Sequence, residues 1–221
     1  MAFTTMPESI TGLTNLLILL SAGCCLAGLR GRRGAGLALW RGFYFLLALS
    51  AVLGVVVHCL DWGLGAENLL WLGVDLLVGA MLALLPLAAL TQVRRGRPPL
   101  VYALPCLLLG AIAAWVMIQN LLSVGFRSQF GVAAIAGVMS LCLYAACVLI
   151  LLLRDRERQQ YAALAGLALL LLSALPWAIG SFEFRLGPII ANQAALLHLG
   201  LAGAAPLFYA AIEKEGVGDH D

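Results

Sequence analysis

The sequence predicts an all-α membrane protein, a bundle of seven transmembrane helices, on three observations. Hydrophobic residues make up 63% of the chain and charged ones 11%, and the mean hydropathy is +1.01, a balance outside the range of soluble domains. The apolar residues fall into runs of about 20, the length a helix rising 1.5 Å per residue needs to cross a bilayer core. Most of the basic residues gather between those runs in three triplets, Arg30/Arg32/Arg33, Arg94/Arg95/Arg97 and Arg154/Arg156/Arg158.

The first span is expected over Ile10 to Leu29, the second over Leu37 to Leu60 and the third over Leu69 to Leu90. The fourth covers Leu100 to Leu122, the fifth Phe130 to Leu153 and the sixth Tyr161 to Ile179. The seventh starts near Pro188, a residue suited to a first helical turn because its missing N–H is not needed there, and ends near Ile212. Pro86, Pro105, Pro176 and Pro206 fall inside spans, where neighbouring helices can accommodate a kink. No polar stretch is long enough to fold by itself. One seven-helix domain therefore covers residues 1–212, and a short acidic tail covers 213–221. The start of the chain lacks the basic segment of a cleavable signal peptide.

Loop charge sets the orientation. The loops after spans one, three and five carry the three arginine triplets, and Lys214 falls on the same side; the opposite loops hold only Arg127 and Arg185. The positive-inside rule then places the N-terminus outside and the C-terminus in the cytoplasm. The single lysine among many arginines, with the richness in Ala, Leu and Gly, points to a bacterial inner membrane as the location. Arginine triplets at bundle ends are matched by anionic headgroups, so the lipid bilayer is the expected partner and nucleic acid is not. The six cysteines show no CxxC pair, and those deep in spans are expected to pack as small hydrophobes. Pro86 and Pro206 sit near the inner ends of spans three and seven, the trace of a repeat of three helices, one linker helix and three helices.

Polar side chains within the spans concentrate in the outer half. Span one offers Thr14 and Asn15, span two Ser50 and then His58, Cys59, Asp61 and Trp62 at its outer end, and span three Glu67, Asn68, Trp71 and Asp75. Asn68, Trp71 and Asp75 share one helix face. Span seven supplies Asn192, Gln193 and His198, the histidine about 9 Å deeper than Asn192 at 1.5 Å per residue. A polar pocket opening outward follows, lined by Asn15, Ser50, Asn68, Trp71 and Asn192. Asp75 is its sharpest feature, because a carboxylate at that depth must be paired, protonated or metal-bound. The plainer reading of His58 is an interfacial histidine, and of His198 a helix-to-helix hydrogen bond. Two histidines and a carboxylate are the minimum for a catalytic zinc with a water in its fourth position. Here those ligands are His58, His198 and Asp75, with Cys59 as a substitute ligand and Asp61 as spare ligand or proton shuttle.

A histidine ending span two, an aspartate early in span three and a histidine in the first half of span seven resemble the seven-span superfamily of alkaline ceramidases, progestin/adiponectin-type receptors and Per1-like proteins. The resemblance implies that His58 and His198 are zinc ligands, that Asp75 is the span-three aspartate, and that the chain binds a lipid or other amphiphile and hydrolyses an amide or ester. It also has clear departures. The SxxxH pattern of those proteins puts a serine where Gly54 stands, and their HxxxH needs a histidine at Ala194 or Ala202. These departures imply a remote or metal-free relative. The rival readings are a non-enzymatic sensor, lipid-binding protein or small-molecule transporter using the same pocket, and an assembly partner whose polar residues serve helix contacts alone. A rhodopsin-like pigment is excluded, since the one lysine lies beyond the last span.

Overall fold

The computed structural model describes residues 6–62, 64–123, 129–156, 158–179, 183–186 and 189–212. The acidic tail with Lys214 and His220 lies outside them, as do Arg127, Ser181 and Pro188. The described chain forms seven α-helices: α1 (Met6–Gly28), α2 (Ala35–Cys59), α3 (Leu64–Arg94), α4 (Leu100–Ser123), α5 (Gln129–Ile150), α6 (Gln160–Ile179) and α7 (Gln193–Ile212). All but α6 are long and apolar enough to cross a membrane by length and composition, and α6 contributes the shorter apolar stretch Gln160–Pro176. The all-α bundle expected from the apolar runs is therefore present. Two elements depart from the expected pattern. A hairpin of β1 (Glu183–Leu186) and β2 (Ile189–Asn192) precedes α7, so the last helix begins at Gln193 and not near Pro188. The β-branched Ile189 and Ile190 suit a strand, and Asn192 then caps α7, its Oδ1 accepting the Ala195 N–H at 3.2 Å. The fifth span ends in a π-helical turn, Leu151–Asp155, whose Arg154 donates from Nη2 to the Val93 carbonyl at the end of α3, at 2.8 Å.

α1 packs between α2 and α7, α2 packs on α3, α3 on α4 and α5, and α6 on α7. α4 shows how an apolar helix is shared between protein and lipid. Its buried residues Cys106, Gly110, Ala113, Met117 and Leu121 repeat every three or four positions on one stripe, whereas Leu108, Ile112 and Trp115 are exposed. A face this apolar needs hydrocarbon around it. α3 and α4 cross at Gly79 and Gly110, where a Cβ on Gly79 would lie 2.8 Å from the Gly110 carbonyl. At the end of the bundle carrying the arginine triplets, Trp40, Phe43, Tyr44, Tyr144 and Phe208 form an aromatic cluster with ring centroids 5.1 to 6.1 Å apart. The opposite end gathers the polar side chains.

Two of the four prolines inside helices, Pro86 and Pro206, free a carbonyl that a serine on another helix meets. Pro86 has no N–H for the Leu82 carbonyl, and Ser140 of α5 donates to that oxygen at 2.8 Å. Pro206 likewise frees the Ala202 carbonyl, which accepts the Ser21 hydroxyl of α1 at 2.7 Å. In hydrocarbon an unmatched carbonyl is costly, so each kink is tied to a donor on a neighbouring helix. Ser140→Ala should lower stability by about 1 kcal/mol in reversible unfolding from mixed micelles. In a Pro86→Ala background, where the restored N–H serves Leu82, the same change should cost almost nothing; equal losses in both backgrounds would refute the pairing.

Candidate functional site

The start of α1, the end of α2, the starts of α3 and α7 and the strand before α7 meet at the polar end. Glu8, in the first turn of α1, joins them. Its Oε2 accepts from His58 Nδ1 at 2.7 Å, and its Oε1 accepts from Asn192 Nδ2 at 3.3 Å. Asn192 Oδ1 in turn accepts the Thr11 hydroxyl at 2.7 Å, so one amide links α1 to the cap of α7. The Thr11 carbonyl accepts from the Thr14 hydroxyl at 2.7 Å, from Asn15 Nδ2 at 3.2 Å and from His198 Nδ1 at 3.2 Å. Thr14 Oγ1 lies 3.2 Å from the same imidazole nitrogen. A carbonyl can only accept, so His198 carries its proton on Nδ1; the carboxylate of Glu8 imposes the same tautomer on His58. The two imidazoles meet edge to face, centroids 5.9 Å apart, and His58 meets the Trp71 indole at 5.4 Å.

Small residues allow this convergence. Gly12 faces His58 and Cys59, with a Cβ there only 3.2 Å from His58 Cβ. Gly54 lies under the Asn15 amide, where a Cβ would come within 2.7 Å of the side chain.

Asp75 lies one turn beyond Trp71 on α3. It is 4% exposed, and its Oδ2 has no hydrogen-bond partner among the described residues. The structure brings together His58, His198, Trp71, Asn15 and Asn192. Asp61 and Asn68 stand exposed at the rim, Ser50 hydrogen-bonds back to the Leu47 carbonyl of its own helix at 2.9 Å, and Cys59 Sγ reaches the Ser9 carbonyl at 3.8 Å. Glu8 and Thr11 complete the network although the loop and span patterns do not single them out. Their trace in the sequence is the spacing of Glu8, Thr11 and Asn15, which puts all three on one helix face.

The ligand set expected for zinc is His58, His198 and Asp75. Among the described residues no three His, Cys, Asp or Glu side chains converge to hold a metal ion. Both histidine Nδ1 atoms donate within the network, which leaves Nε2 as the ring nitrogen a ligand would meet, and none of the hydrogen bonds given above includes Asp75.

The chain belongs to a family of unknown function, DUF6962, whose model matches residues 10–216. No curated protein and no solved structure matches it.

The Glu8 carboxylate is 45% exposed and its partner His58 10%, so their pairing is discounted for solvent screening. A double-mutant cycle of Glu8→Ala and His58→Ala should give a coupling of about 0.5–1 kcal/mol. Simple additivity would remove Glu8 from the network.

Proposed function

We propose that this chain is a seven-span bacterial inner-membrane protein that binds a small ligand at an outward-facing polar end. The N-terminus lies outside and the C-terminus in the cytoplasm. The ligand carries a cationic or hydrogen-bond-donating group, and Asp75 is its anchor. The observation that carries this reading is the unmatched Oδ2 of a buried carboxyl. Leaving such an atom without a partner in hydrocarbon is unfavourable, and a donor brought by a ligand removes the deficit. Trp71, one turn before Asp75 on α3, is buried and meets His58 edge to face, which places an aromatic ring beside the anchor. The sensor, lipid-binding and transporter readings all use these groups and need no metal.

Replacing Asp75 separates function from structure. Asp75→Leu should unfold at the same or higher denaturant, by about 1–2 kcal/mol, because a deficit is removed. The same variant should lose the stabilisation that small amines and cationic amphiphiles give the wild-type protein in a thermal-shift screen. A markedly destabilised Asp75→Leu protein would assign Asp75 to the scaffold instead.

Hydrolysis of a lipid amide or ester, the activity implied by the resemblance to ceramidases, has one observation in its favour: His58 and His198 lie side by side. Metal analysis of the purified protein beside a His58→Ala/His198→Ala variant decides it. About one zinc per chain, absent from the variant, would support that reading, and metal-free wild type would sink it. The orientation is supported by the arginine triplets at the end opposite the polar network. A C-terminal green fluorescent fusion should be fluorescent and a C-terminal alkaline phosphatase fusion inactive; the reverse pattern would overturn it.

A further inference from the structure

The serines that mend the two proline kinks occupy matching places. About 120 residues separate Ser21 from Ser140, and about 120 separate Pro86 from Pro206. The same interval carries α1 onto α5, α2 onto α6 and α3 onto α7, leaving α4 as a helix between two sets of three. Packing follows the same rule except at one pair, since α1 lies closely on α2 whereas α5 only touches α6. α2 lies on α3 as α6 lies on α7, and α3 meets α5 as α7 meets α1. The level at which His198 meets Thr14 corresponds, on the other side, to the apolar cluster in which Val78 packs with Ala133 and Ala136. One interface is therefore built twice, polar in one copy and apolar in the other.

Four contacts of the polar end cross between the two sets: Thr11 to Asn192, Asn192 to Glu8, and His198 to the Thr11 carbonyl and to Thr14. Glu8 and Thr11 belong to the first, and Asn192 and His198 to the second. Both serine–carbonyl bonds cross as well, from Ser21 to Ala202 and from Ser140 to Leu82. At the opposite end the crossing contacts include the Trp40–Tyr144 ring pair and two side chains on carbonyls: Arg154 on Val93 at 2.8 Å, and Tyr44 on Ala205 at 2.9 Å. α3 carries Pro86 two turns before Val93, and α7 carries Pro206 beside Ala205.

We infer that α1–α3 and α5–α7 are parallel repeats that rock against each other about the kinks at Pro86 and Pro206, so that the polar end can be reached from either side of the membrane. The protein is then a carrier of its small ligand and not a fixed receptor. Breaking the Arg154–Val93 and Tyr44–Ala205 contacts opens the inner end, and the polar network closes the outer end when it forms across the same seam. The chemistry of the cargo rests on the reading of Asp75 given above; the movement does not.

The test is side-specific thiol labelling of the full chain, with its six native cysteines replaced and a single cysteine introduced as Thr14→Cys. A membrane-impermeant maleimide is applied to right-side-out and to inside-out vesicles. Labelling of the Thr14→Cys protein is expected from both sides, with Arg154→Ala raising the inside rate by about tenfold without raising the outside rate. Tyr44→Phe, which removes only a hydroxyl, should act in the same direction and guards against misfolding of the arginine variant. Labelling from one side only, from neither, or at rates that both variants leave unchanged would overturn the inference. Loss of the Asp75 effect on ligand binding with two-sided labelling intact would instead leave the movement standing and refute only the assignment of the cargo.

Discussion

In hydrocarbon a polar atom cannot fall back on water, so each one carried into this bundle is best matched within the protein, on its own helix or on a neighbour. That constraint selects which helices touch and where. The two proline kinks show it in its simplest form. Each frees one carbonyl, each carbonyl is met by a serine hydroxyl from a helix distant in sequence, and the α3–α5 and α7–α1 contacts are pinned at those points. The apolar surfaces contribute dispersion and close fit, as at Gly79 and Gly110, but leucine against leucine is hardly preferred over leucine against lipid. Polar matching supplies the register.

The polar end applies the rule at higher density. Glu8 lies at the N-terminal turn of α1, where a negative charge is favourable. From there its two oxygens tie the end of α2 to the cap of α7. Thr11 repeats the bridge one turn deeper through its hydroxyl and its carbonyl. Asp75 Oδ2, like the Trp40 indole N–H, stands outside this matching among the described residues, and the proposed ligand would supply its missing donor.

The helices were legible in the sequence because lipid demands length and continuity, and runs such as Leu100 to Leu122 display both. Seam residues were legible where they were polar and deep, as with His198 and Asp75. Glu8 escaped because an acid so near the chain start looks solvated until α1 is seen to begin at Met6. The hairpin before α7 escaped for a different reason: Ile189 and Ile190 satisfy a strand and an apolar span equally well, and only their pairing with Arg185 and Leu186 decides between them. Ser50 had the right composition for the pocket, but its hydroxyl is claimed by its own helix, a local competition that spacing cannot reveal. Two prolines alone were a faint repeat; the matching serines became visible only once the freed carbonyls and their donors were located.

The network that joins α1, α2 and α7 is the centre of this account, and it makes a definite statement about protons. The chain has three histidines, so ¹⁵N-histidine labelling with magnetic resonance in micelles gives three resolvable imidazoles, assigned by His58→Ala and His198→Ala. Both His58 and His198 should appear as Nδ1–H tautomers, the reverse of the usual preference in water, with coupling to Glu8 and to the Thr11 carbonyl. If both instead showed the solvent-like Nε2–H form, the α1 bridge would not exist as described.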